Sequence, residues 1–178
     1  MPSILKYLAI LFPAFSLAQD ANEELIAWSP HYKLTWADYK ARPETGSDVA
    51  ATTTTYIGIE YNINASGFSY KIQCRFSKDR SWGLHKTPYI LSHEQGHFDI
   101  AEIFARKLHK AMRAYRFNQR TYQHDLKTIY EKLMNEKEAM QDEYDRETNH
   151  SINREKQAAW LIKIEQYLDD YRDYAAYH

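Results

Sequence analysis

The chain carries a single cysteine, Cys74, among its 178 residues, so no intramolecular disulfide can form whatever the redox compartment. Cys74 therefore reads as a small apolar core residue. Net charge is also nearly absent, −1 at pH 7 with acids and bases interspersed, which argues against nucleic acid or an anionic membrane surface as a partner. Past residue 18 there is no long apolar run, no internal repeat and no low-complexity stretch other than four consecutive threonines, Thr52 to Thr55. Stable membrane insertion of the mature chain is not expected.

The N-terminus does hold one apolar run. Lys6 precedes Tyr7 to Leu17, and the run closes on the small-residue triplet Ser16-Leu17-Ala18. It is shorter than the roughly 20 residues a spanning helix needs, and Pro13 interrupts it. The pattern is that of a secretory signal peptide, residues 1–18, cleaved after Ala18. No cysteine in the cleavage region offers a lipid anchor. Residues 19–178 are then expected to form one domain, secreted or periplasmic.

Within that domain, residues 22–44 are aromatic and proline-broken and read as an irregular lead-in with one short strand or turn. The β-branched and aromatic stretch from Thr52 to Tyr61 and the alternating stretch from Phe68 to Phe76 are strand-like. Between them Asn64-Ala65-Ser66-Gly67 signals a turn, predicting an antiparallel hairpin. After Pro88 the period changes to that of a helix. Ile90, His93, His97, Ile100, Phe104, Leu108 and Ala111 fall along one side, which is expected to face the interior. Two further helices are predicted, from about Tyr122 through Tyr144 and from about Arg154 through Tyr171. The break between them, at Thr148 to Asn153, is rich in capping and turn residues. The expected fold is α+β: a small N-terminal antiparallel sheet, then a helix bearing the site, then two C-terminal helices.

That first helix contains His93-Glu94-Gln95-Gly96-His97, an H-E-x-x-H pattern. Residues four apart on a helix lie about 40° from each other and one turn along, so two imidazoles can converge on one zinc ion. Glu94 then stands where it can act as general base toward a metal-activated water, the chemistry of peptide hydrolysis. Two histidines buried on an apolar face without a shared partner would be costly. Gly96 costs about 1 kcal/mol in a helix interior, which the close approach of another segment would offset.

A third donor must come from elsewhere. The longer pattern with Gly at 100 and His at 103 is absent, since Ile100 and Ile103 stand there. Glu102 lies about 180° round the helix from His93. At the predicted break, His150 is the first choice of ligand and Glu147 the second. Asp145 could orient a ligand imidazole, and Tyr144 could donate to an oxyanion as a catalytic group.

Leu34-Thr35-Trp36-Ala37-Asp38-Tyr39, Ala50-Ala51-Thr52, the run from His93 to Glu102, and Tyr144-Asp145 with Thr148, His150, Gln157 and Trp160 together resemble a bacterial family of secreted proteins. Its function is uncharacterised, and it is described as candidate zinc-dependent proteases. The resemblance implies a zincin-like metallopeptidase with His93, His97 and Glu94 in the usual roles, and adds weight to Thr148-x-His150. It also implies Gly after His150, where this chain has Ser151. The expected function is zinc-dependent hydrolysis of a peptide or protein substrate. The alternatives are a zinc-stabilised non-catalytic binding module and a zinc amidase acting on cell-wall peptide.

Overall fold

A computed structural model describes residues 22–47, 49–65 and 67–177; the expected signal peptide lies outside the described residues. The lead-in contributes one strand, β1 (Leu25–Ala27), and a short 3-10 turn at Trp36–Asp38. The predicted hairpin is present as β3 (Thr55–Asn64) and β4 (Gly67–Ser77), in antiparallel register from Thr55 opposite Phe76 to Asn64 opposite Gly67. β1 adds to the other edge of β4, giving the order β1-β4-β3. Alternation along β4 turns Ile72, Cys74 and Phe76 into the core, as a sheet with one covered face requires.

A second, two-stranded sheet pairs β2 (Ala51–Thr52) with β5 (Trp82–Gly83). The sequence did not predict it, because strands of two residues have no period to read.

Helix α1 (Pro88–Ala114) starts as its sequence dictates: Pro88 opens it and the Thr87 side chain accepts a hydrogen bond from the Ile90 amide, satisfying one otherwise orphaned donor. The apolar stripe predicted one interior side, but every residue from Phe98 to Arg106 is buried. The reason is position: both strands of the hairpin, α2 (Tyr122–Thr148), α3 (Arg154–Asp170) and the C-terminal 3-10 turn (Arg172–Tyr174) all pack on α1. Phe98, Ile100, Ile103, Phe104 and Leu108 are essentially inaccessible, each contributing about 1.5–3 kcal/mol by leaving water.

The break after α2 is sharper than its composition alone implied. Asn149, His150 and Ser151 have φ of 48°, 50° and 73°, three successive non-glycine residues in the left-handed region, at a cost of about 1–3 kcal/mol each. The turn is held by the His150 amide on the Asp145 carbonyl, 2.9 Å, and the Asn153 amide on the Thr148 carbonyl, 2.7 Å. Ser151 occupies a backbone conformation that glycine takes without strain. That accounts for the glycine the family resemblance led us to expect. No helix among the described residues is long and apolar enough to cross a membrane.

Candidate metal centre

His93, Glu94 and His97 are presented by the second and third turns of α1, and together they could hold a metal ion. The two imidazole Nε2 atoms are 3.2 Å apart. A carboxylate oxygen of Asp145, near the C-terminus of α2, lies 3.0 Å from His93 Nε2 and 3.1 Å from His97 Nε2. Donors about 2.0–2.2 Å from a tetrahedral zinc ion are separated from one another by roughly 3.3 Å. The three atoms therefore form a triangle of the size and composition that fits such an ion.

Neighbouring side chains fix each donor. Gln141, one turn before Asp145, donates from Nε2 to the His97 carbonyl at 3.0 Å. Its Oε1 must then be the atom facing His97 Nδ1, where it can only accept. His97 thus carries its proton on Nδ1 and leaves the Nε2 lone pair for the centre, as ligand histidines require. Tyr144 stacks on the His93 ring with centroids 4.4 Å apart, and its hydroxyl donates to the His93 carbonyl at 3.2 Å. His93 Nδ1 is buried without a hydrogen-bond partner.

The same Tyr144 explains Gly96. A Cβ at position 96 would sit 2.6 Å from the Tyr144 hydroxyl oxygen, so the glycine admits the tyrosine that packs against His93. Glu94 is aimed by a relay: Thr53 Oγ1 donates to Glu94 Oε2 at 2.6 Å, and the Tyr39 hydroxyl meets Thr53 Oγ1 at 2.8 Å. Burial, with the Glu94 charge nearby, raises the Tyr39 phenol far above its usual range, so it stays a donor.

Electrostatics point the same way. Burial works to lower both imidazoles. It prevails at His93, whereas at His97 the Asp145 hydrogen bond and the Glu94 and Asp145 charges outweigh it and lift the ring to about 9. Burial would raise Asp145, but its hydrogen bonds with His93 and His97 hold it well below the usual carboxylate range. In the metal-free protein, a proton on His97 stands where a cation would otherwise balance the carboxylates.

A cavity of about 420 Å³ opens onto these donors, with residues 49–55 on one wall and α2 on the other. His150 lines it too. Its side chain is 57% exposed, and its Nδ1 lies 3.8 Å from Asp145 Oδ1. Among the described contacts it is Asp145, not His150, that touches both ring nitrogens. Glu147 turns away, accepting from Trp160 Nε1 at 2.9 Å. Tyr144 is fully buried with its hydroxyl against the α1 backbone. Sequence reasoning gave no site role to Thr53, Tyr39 or Gln141. The four-residue spacing of Gln141 and Asp145 on one helix was the one signal available.

Residues 18–151, most of the chain, match the model of a family described as "Bacterial protein of unknown function (DUF922)", and the chain belongs to that family. The match takes in the hairpin, α1, α2 and the turn that carries His150. No curated protein and no solved structure matches the chain.

Proposed function

We propose that this member of the bacterial family of unknown function is an exported zinc-dependent peptidase, in which His93, His97 and Asp145 hold the ion and Glu94 is the general base. The observation that carries the reading is the triangle of two imidazole nitrogens and one carboxylate oxygen, with edges of 3.0–3.2 Å, beside a separately oriented carboxylate. A zinc ion bound there would supply Lewis acidity, acidifying water and polarising an amide carbonyl.

The remaining roles belong to the chain. Glu94, held by Thr53 and Tyr39, takes the proton of the attacking water and delivers it to the leaving amine. Gln141 and Tyr144 keep the two rings aimed. His150, on the cavity rim, is a donor toward the substrate rather than the third ligand. Residues 49–55 offer a wall along which an extended peptide could lie. Leu84 N bonds Ala50 O, and Thr54 N bonds Ser81 Oγ. By alternation, the backbone groups of Ala51 and Thr53 point away from β5 and are suited to pairing with an added strand.

The test uses the chain from residue 19 onward, with zinc measured by mass spectrometry and hydrolysis followed on an unfolded protein and on purified cell wall. Glu94→Gln should keep its zinc and lose hydrolysis by about 10²- to 10⁴-fold. Unchanged hydrolysis in that variant would remove Glu94 from the mechanism. One observation favours a structural zinc site instead: His150 Nδ1 stands 3.8 Å from Asp145 Oδ1, and were it to join the other three donors as a fourth ligand the site would be closed. In that case zinc would be retained with no hydrolysis of either substrate, and His150→Ala would lower zinc affinity.

A further inference from the structure

Lys137 is a buried cation for which the hydrolytic chemistry has no use. It is 8% exposed and lines the same cavity as the metal donors. Its one described partner is Glu138 Oε1 at 2.9 Å, on the next residue, and that side chain is 65% exposed. The other ion-paired lysines of α2 are exposed and answered one turn on: Lys127 by Glu131 and Lys132 by Glu136. One turn on from Lys137 stands Gln141, whose amide is committed at both ends to His97. Leu133, Met134 and Met140 beside it are half-buried and packed against the core. The Lys137 side chain is buried, yet its ammonium has three donors and a single described acceptor, a carboxylate that is itself largely solvated.

Lys137, Gln141 and Asp145 follow one another at four-residue steps along the α2 face that borders the cavity. Lys137 is therefore about 12 Å along the helix axis from Asp145. An extended peptide covers that distance in three or four residues. The opposite wall, residues 50–55, carries no charge. Glu138 and Asp142 also line the cavity, but both are exposed, so Glu138 can turn into water when a better acceptor arrives.

We infer that Lys137 determines specificity: it binds a substrate carboxylate, a chain terminus or an acidic side chain, three or four residues from the bond that is cut. This rests on the peptidase reading above. Occupation of the site gives the ammonium an acceptor beyond the solvated Glu138 carboxylate, so a peptide that places an anion there is preferred over its neutral counterpart.

The experiment uses zinc-loaded protein and a set of quenched fluorescent peptides with one core sequence. The set compares a free terminal carboxylate with its amide, and an internal Asp with Asn, at successive distances from the cut. Wild type should favour the charged member of a pair by about 10- to 100-fold in kcat/KM at three or four residues. The pair that shows the preference identifies the carboxylate's source. Lys137→Met should erase the preference while leaving kcat/KM on the amide within about twofold, and Lys137→Arg should keep most of it. Should Lys137→Met fail to fold, Lys137→Gln takes its place. Binding of the same peptides to zinc-loaded Glu94→Gln needs no turnover and reads the preference by fluorescence anisotropy. A carboxylate preference there with no hydrolysis by wild type would overturn the peptidase reading alone. Equal handling of charged and neutral peptides, or a preference that survives in Lys137→Met, would overturn the role of Lys137.

Discussion

Helix α1 buries or half-buries polar side chains on two sides. On one side stand His93, Glu94 and His97. On the other, Gln95, Asp99, Glu102 and Arg106 are matched locally. Trp28 Nε1 and Gln95 Nε2 each donate to Asp99 at 2.8 Å, and the Leu34 amide donates to Gln95 at 2.9 Å. Arg106 donates to Glu102 at 2.8 Å and to the Leu168 carbonyl, and Tyr177 donates to the other Glu102 oxygen. A cavity of about 760 Å³, larger than the one at the metal donors, lies on this second side, lined in part by Trp28, Leu34, Leu91 and Ile164. The second side has already exchanged its donors and acceptors within the fold, while the first brings two imidazole nitrogens and a carboxylate oxygen within 3.2 Å of one another. Polar burial that closes on itself is architecture; polar burial that converges with its charge unbalanced asks for a ligand.

Three experiments would break or sharpen that contrast. The largest effect is expected on the architectural side. Arg106→Met leaves the buried Glu102 carboxylate without its cation, and stability in urea should fall by about 3–5 kcal/mol. Zinc affinity, measured on protein that remains folded, should be unchanged. Asp145→Ala is the converse. Zinc affinity by calorimetric titration should drop by more than about 100-fold, the upper end of what loss of a mere orienting partner costs. A drop of tenfold or less would return Asp145 to an orienting role and make His150 the ligand.

The smallest effect is pH-dependent. The folded value of His97, about 9, lies above its ordinary 6.5. Its contribution to the metal-free fold is therefore full below about pH 6.5 and lost as pH rises through about 9. The melting temperature of chelator-treated protein should decline across that window, and Asp145→Asn should flatten the decline. Zinc uptake near pH 7.5 should release about one proton, read from binding heats in buffers of different ionisation enthalpy. No proton release would mean that His97 is neutral before the ion arrives.

What could be read in the sequence was what is local. His93, Glu94 and His97 lie within one and a half turns of a helix, where spacing alone fixes their relation. The hairpin and the three helices were likewise legible, because each is longer than its own period. Asp145 was visible only as a residue that could orient a ligand. Whether its carboxylate or the His150 ring reaches the imidazoles depends on how α2 is rotated against α1, and no spacing within either helix encodes that. The left-handed turn then carries His150 to the rim. The link from Tyr39 through Thr53 to Glu94 joins three segments of unrelated pattern. Thr53 was hidden among identical neighbours, and Tyr39 among many aromatics.

The close approach of Tyr144 to Gly96 has a consequence beyond this chain. With the Tyr144 hydroxyl oxygen 2.6 Å from where a Cβ would stand, neither position can gain volume unless the other gives it up. Across relatives the two should drift as one unit, with a larger residue at 96 accompanied by a smaller one at 144. Where that exchange occurs, the ring that steadies the first histidine is lost, and its support must be found from another part of the molecule.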